Sequence, residues 1–301
     1  MRARLFQLSR HRGVEFQLLL SQFAIERLLY RLGISRHADH FVLKGATLFK
    51  LWSDEPGRAT WDLDLLGRSV LSVPQLVDVV RELCATPAED AIGFDAATFL
   101  GEEIRSTDEY TGVRVRLEAR LAEARIPMQV DVGFGDAVVP APRRQSYPTL
   151  LDHPAPSILT YPREAVVAEK LEAMVSLGVT NSRVKDFYDV HQLAASFAFD
   201  GARLAHSIRA TFDRRRTPLP ESEPLVLRPG FLEAPDRQAQ WKAFLRRGRL
   251  SAPQDARLLA EELSAFLTPV LLAVARNEAF ERSWAAGGPW LPADATAELG
   301  S

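Results

Sequence analysis

Asp62 and Asp64 stand two residues apart in Thr60-Trp-Asp-Leu-Asp-Leu-Leu, a run whose alternating character predicts a strand. Side chains at i and i+2 of a strand share a face, so both carboxylates project together while Trp61, Leu63 and Leu65 face the other way. Two like charges held that close raise one another's pKa unless a cation compensates, and oxygen-only donors suit Mg²⁺ or Mn²⁺. The same pattern also suits the charged face of a solvated edge strand. Asp131 lies on a second alternating strand whose other face carries Ile126, Met128, Val130 and Val132. If the two strands pair, three carboxylates converge as two-metal phosphoryl or nucleotidyl transfer requires, with Asp131 placed to draw off a hydroxyl proton. If they do not, Asp131 is a solvated strand residue.

Gly45-Ala46-Thr47 falls between a predicted strand, Phe41-Val-Leu, and a short predicted helix, Ala46 to Trp52. Backbone N–H groups and the positive helix end at such a place can hold a phosphate oxygen, and glycine permits close approach. Gly-small-Thr is equally an ordinary turn and helix cap. Lys170, with Glu169 and Glu172 on a predicted helix, can carry a point charge to phosphate oxygens on its flexible stem. It also reads as a solvated charge at helical spacing. Arg183, Lys185, Asp186 and Asp189 open the next helix, where Lys185 and Asp189 are one turn apart and able to pair; a structural ion-pair network describes them as well. Arg58 and Thr60 precede the acidic strand. Arg58 is a candidate for phosphate contact or for bracing the acids, and Thr60 for bonding a metal-bound group.

The elements that must position these residues follow from periodicity. Phe16, Leu19, Leu20, Phe23, Leu28 and Leu29 recur at helical spacing in a helix that Gly33 can end. A polar loop with Pro56 and Gly57 leads into the acidic strand, Leu76 to Leu83 reads as a core helix, and alternating runs over Val113–Leu121 and Ile126–Val132 predict two adjacent strands. Six prolines between Val138 and Pro162 mark an irregular crossing, and five between Pro218 and Pro235 a second. Helices are predicted at Arg163–Leu177, Val184–Phe197, roughly Arg237–Arg247 and Asp255–Ala275, before a Gly/Pro/Ala tail from Ala285. This predicts an α+β protein: an α/β domain over residues 1–150 carrying the acids, and a mainly helical domain over 151–301.

Composition narrows the classes. With 301 residues, 47% hydrophobic and 25% charged, the chain is of ordinary globular type, which argues against disordered, collagenous and coiled-coil classes. The apolar stretch Phe266–Ala275 is short and contains Pro269, so no membrane span is expected, and the opening residues lack the apolar core of a signal peptide. One cysteine, Cys84, permits no internal disulfide, and a cytoplasmic location is expected. Cys84 ends an apolar helix and reads as packed. Net charge is −2, yet Arg203–Arg216 holds five arginines and Arg237–Arg249 five basic residues without an acid. Arg214, Arg215, Arg216, Arg246, Arg247 and Arg249 are candidates for a nucleic-acid backbone; a solvated helical surface reads equally from the pattern. His40, His153 and His191 have no metal-like spacing.

Taken in order, Leu43-Lys-Gly45-Ala46-Thr47, Arg58-x-Thr60-x-Asp62-Leu-Asp64, Glu169-Lys170-Leu171 and Arg183-x-Lys185-Asp186-x-x-Asp189 resemble the motifs of the AbiEii/AbiGii toxin family of nucleotidyltransferases, which includes the mycobacterial MenT toxins. The resemblance spans Phe41 to Leu193. It implies a polymerase β-like nucleotidyltransferase core and the toxin half of a bacterial toxin–antitoxin pair, with an NTP as substrate, the acceptor end of tRNA as target and translation blocked. By the same resemblance Gly45 and Thr47 match the nucleotide loop, Asp62 and Asp64 the metal pair, Lys170 the triphosphate-contacting lysine, and Asp189 the last acid of the C-terminal motif. Two departures stand out: Ala46 where the family has a second glycine, and Met174 and Val175 where a second lysine is often found. A small-molecule or protein nucleotidyltransferase, or a non-catalytic interaction protein, are the alternatives.

Overall fold

The computed structural model describes residues 1–53, 58–107 and 110–293; the loop residues Pro56 and Gly57 lie outside them. The chain forms two compact units, Met1–Asp136 with Pro142–Tyr161, and Ala137–Ala141 with the chain from Pro162 onward. The first unit reaches Tyr161, beyond the expected limit at residue 150, because its last strand enters the central sheet.

The first unit contains α1 (Arg2–Arg12), α2 (Phe16–Ile34), β1 (Phe41–Lys44), α3 (Phe49–Trp52), β2 (Asp62–Gly67), α4 (Val73–Ala85), β3 (Gly93–Thr107), β4 (Tyr110–Leu121), β5 (Ala124–Phe134), β6 (Arg143–Ser146) and β7 (Ser157–Thr160). Among the described residues the strands form one mixed sheet in the order β3-β4-β5-β2-β1-β7-β6. β2 pairs parallel with β5 and antiparallel with β1, and β4 pairs antiparallel with β5. Leu28, Leu29 and Leu32 of α2 and Leu76, Val80 and Leu83 of α4 meet Leu63, Leu65, Val130 and Val132 around a shared apolar space. Each such side chain contributes about 1.5–3 kcal/mol by leaving water. Burying these residues turns their strand neighbours Asp62, Asp64 and Asp131 to the other face, and a one-residue slip of either strand would bury a carboxylate.

Several boundaries differ from expectation. α2 runs through Gly33 to Ile34; a β-carbon at Gly33 would stand 2.6 Å from the Ser157 carbonyl oxygen, so the glycine admits β7 instead of ending the helix. The proline-rich crossing contains two short strands, with Pro142 and Pro148 flanking β6 and Pro156 and Pro162 flanking β7. Buried charges anchor this segment. Arg27 donates to the Pro154 carbonyl at 3.0 and 3.1 Å, Glu26 accepts from the Leu150 N–H at 2.7 Å, and Arg31 pairs with Asp90 at 2.5 Å.

The second unit contains α5 (Arg163–Leu177), α6 (Val184–Ser196), β8 (Phe199–Asp200), α7 (Gly201–Arg215), α8 (Pro229–Leu232), α9 (Pro235–Gly248), α10 (Ala256–Ala275), β9 (Arg282–Trp284) and β10 (Trp290–Pro292). Ser207 of α7 donates to the Val139 carbonyl at 2.6 Å, which ties Ala137–Ala141 into this unit. α10 passes through Pro269 without a break and reaches 20 residues. By length and composition alone it could cross a membrane, but half of its apolar window is buried inside the unit. Phe266, Trp284 and Trp290 cluster there with centroids 4.9–5.7 Å apart, Phe266 stacked on Trp290, the arrangement of a core helix.

Candidate active site

Asp62 and Asp64 lie half-buried on β2 with Leu63 and Leu65 buried between and beyond them, so the two carboxylates share the face away from the helices. Strand register puts Asp131 of β5 beside Asp64, and Gln129 beside Asp62. On the other side, Lys44 of β1 is in register with Asp64. Its ammonium lies 2.7 Å from Asp136, just past β5, and 5.3 Å from the Tyr161 ring centroid.

Gly45 follows directly, with φ 72° and ψ −162°, a conformation open in practice to glycine alone. A β-carbon there would meet Asp64 Oδ2 at 2.1 Å. The Asp64 carboxylate thus rests against the backbone of the glycine turn. Thr47 is buried in the short 3-10 turn Ala46–Leu48, and its hydroxyl donates to the Asp62 carbonyl at 3.4 Å. Thr60 donates to the same carbonyl at 3.3 Å. Both threonines therefore brace the backbone of Asp62. Arg58 is half-buried just ahead of β2.

Arg114 of β4, which the sequence did not single out, is the cross-strand neighbour of Asp131. Its Nε and Nη2 donate to the two oxygens of Asp131 at 2.8 and 2.7 Å, and Gln129 Nε2 donates to Asp131 Oδ2 at 3.2 Å. The Asp131 hydrogen bonds, and then the charges of Asp131, Asp62 and Glu102, raise the Arg114 pKa. Among the described residues, no three His, Cys, Asp or Glu side chains form a group that could hold a metal ion. Asp131, beside Asp64 in strand register, accepts three hydrogen bonds from Arg114 and Gln129, and a carboxylate so held keeps a lone pair for a cation. Asp62 and Asp64 supply the oxygen donors that a hard divalent cation takes.

In the second unit, Lys170 lies 2.7 Å from Asp186 and 2.8 Å from Asp189, and Arg183 Nε lies 2.6 Å from the other oxygen of Asp186. Both carboxylates are almost fully buried, and the lysine side chain is 12% exposed. Lys170 takes the place expected for Lys185 beside Asp189, while Lys185 is exposed. Arg215 is likewise committed, 2.7 Å from Glu172, whereas Arg214, Arg216, Arg246, Arg247 and Arg249 are exposed. Burial pushes the Cys84 thiol up to about 12, leaving almost no thiolate, as a packed cysteine requires. His191 pairs with Glu262 at 2.8 Å.

An α+β chain whose mixed sheet sets an Asp-x-Asp strand against a glycine turn, with a helical second half, is built as a nucleotidyltransferase. The family model described as nucleotidyl transferase AbiEii toxin, type IV toxin–antitoxin system, matches residues 27–268, and the chain belongs to that family. It is thus a nucleotidyltransferase toxin, with an NTP as substrate and an antitoxin as its expected counterpart. Among solved structures, JHP933 from Helicobacter pylori is similar over 83% of this chain and 88% of its own, at 13% identity and TM-score 0.44. A proposed nucleotidyltransferase from H. pylori is similar over 86% and 95%, at 15% identity and TM-score 0.44. Comparison with curated protein sequences finds no match.

Proposed function

We propose that the chain transfers a nucleotidyl group from an NTP to the 3′ end of tRNA and so blocks translation. The observation that carries the chemistry is the half-buried Asp62–Asp64 pair on one face of β2, with Asp64 against the turn at Gly45. In this reading Asp62 and Asp64 hold a divalent cation, Mg²⁺ or Mn²⁺, which supplies charge neutralisation at the reacting phosphate. Gly45 lets the backbone approach the phosphates, and Thr47 and Thr60 keep Asp62 in place through its carbonyl. The exposed arginines at the ends of α7 and α9 favour an RNA acceptor over a small metabolite, since a chain of phosphates rewards several separated cations.

Incubation of the purified protein with labelled NTPs, Mg²⁺ and total RNA tests this. Label on RNA of tRNA size is the expected result; label only on a metabolite or a protein would replace the acceptor. Expression of Asp62→Asn should relieve growth inhibition, and full toxicity in that variant would favour a non-catalytic interaction protein.

A further inference from the structure

We infer that α1 receives the sugar–phosphate backbone of the RNA acceptor, with Arg10 and Arg12 as its phosphate contacts. The inference rests on the RNA-acceptor reading and adds to it a surface on the unit that carries the acids.

α1 holds Arg2, Arg4, Arg10, His11 and Arg12 and no acid, and all five of these residues are exposed. Only Leu5 and Ser9 are buried, so the helix rests on its unit by a narrow stripe. Its charge does not serve its own stability. Arg10, His11 and Arg12 complement the negative end of the helix dipole, but Arg2 and Arg4 stand in the first turn, where a cation opposes it. The helix has no Asp or Glu to pair with them a turn away. Arg4 reaches Asp152 at 2.6 Å in an exposed pair, and Arg2 lies over the Phe16 ring at 5.7 Å. Among the described residues, no carboxylate lies within ion-pair distance of Arg10 or Arg12.

The end of α1 lies toward the site. Burial lowers the Lys50 pKa to about 8, with Glu26 opposing the fall and Arg12 adding to it, so Arg12 is within electrostatic range of α3, the helix after the glycine turn. Gln17 of α2 donates to the Arg125 carbonyl at 3.5 Å, so the corner between α1 and α2 meets the head of β5. Arg125 shares its strand face with Gln129 and Asp131, and it answers Glu118 at 3.9 Å together with Arg120 at 3.2 Å. Among the described residues, Glu15 and Glu123 are the remaining acids of this corner, against Arg10, Arg12 and Lys50. Asp131 lies farther along the same strand, about 20 Å away at roughly 3.3 Å per residue. A nucleic-acid strand that ends at the acids and runs back along this face reaches the basic corner within a few nucleotides.

The class of occupant follows from what α1 exposes. A helix that lies on a membrane needs an apolar face, and Phe6 is the only large apolar side chain of α1 that is exposed. A phosphate backbone instead rewards guanidinium groups set apart along a surface.

The test follows tRNA binding to the purified protein by fluorescence anisotropy across a salt series, beside binding of a non-hydrolysable NTP analogue. The double variant Arg10→Gln/Arg12→Gln should weaken tRNA binding about 10-fold or more at about 0.1 M salt. Its log–log salt slope should become shallower by about 1.8, which is about 0.9 for each duplex phosphate. Arg10→Lys/Arg12→Lys should restore most of both, because counterion release asks only for charge. Analogue binding should stay as in the wild type, and Arg81→Gln, an exposed control on α4, should change neither.

Unchanged tRNA affinity and slope in the Gln double variant overturn the inference and leave the acceptor reading in place; wild-type protein that binds no tRNA overturns both. A fall in analogue binding equal to the fall in tRNA binding overturns it too, since the change then reaches the site. If the wild type binds phosphatidylserine vesicles or polyglutamate, and the double variant loses that binding but keeps tRNA, the surface belongs to a membrane or an acidic protein and the inference falls. Should the double variant fail to fold, Arg10→Gln and Arg12→Gln decide singly, each with a slope shallower by about 0.9.

Discussion

Replacing Gly45 by alanine sets a methyl 2.1 Å from Asp64 Oδ2 and asks a residue with a β-carbon to hold φ 72° and ψ −162°. The backbone cost alone is about 1–3 kcal/mol. Gly45→Ala should therefore lower the unfolding free energy in denaturant titration by at least that amount and abolish NTP labelling. Lys170→Ala should cost about 3–5 kcal/mol, because it leaves Asp186 and Asp189 buried without their shared cation. A melting curve separates that loss from any role of the lysine at phosphate. Both acids of β2 and the parity of Asp131 were legible in the sequence, since alternation fixes faces. Arg114 was not, because choosing it over Arg116 or Arg120 needs the β4–β5 register. The turn between those strands is Ala122-Glu123, with Ala122 at φ 50°, and lacks the glycine or asparagine that announces a hairpin. Lys170 overrode the i+4 pairing of Lys185 with Asp189 by reaching across from a neighbouring helix, which no local spacing encodes.

Among the elements, strongly periodic helices such as α5, α6 and α9 were readable to within a few residues, and so were β4 and β5. Prolines and glycines misled where they serve packing. Gly33 lies within α2 because β7 passes against it, and Pro269 lies within α10. β3 escaped notice because its register shifts between Asp95 and Leu100, which breaks the alternation. α7 and α9 end alike, on Arg216 at φ 53° and Arg249 at φ 51°, left-handed positions where glycine is usual. Arg216→Gly and Arg249→Gly should each raise stability, by about 1 kcal/mol. If the two arginines bind RNA, the log–log salt slope of tRNA binding, measured by filter retention, should become shallower by about 0.9 for each duplex phosphate no longer neutralised.

At the scale of the whole molecule, the buried charges of the first unit set a pH dependence. Burial, opposed by the Leu150 N–H and the Arg27 charge, raises the Glu26 pKa from 4.5 to about 7. The folded chain then binds a proton that the unfolded chain has released between those two values. Stability from this group is full below pH 4.5 and falls as pH rises through about 7, by at most about 3 kcal/mol. Glu26→Gln should flatten the fall in thermal melts across the range from 4.5 to about 7; an unchanged slope would assign it elsewhere.

The tryptophans are divided unevenly between the units. Trp241, Trp284 and Trp290 are buried in the second, while Trp61, next to Asp62, is 40% exposed and Trp52 is intermediate. Collisional quenchers such as acrylamide should therefore dim the first unit's red-edge emission before touching the blue emission of the second. Without any added dye, the native chain offers separate fluorescent reporters for its two halves.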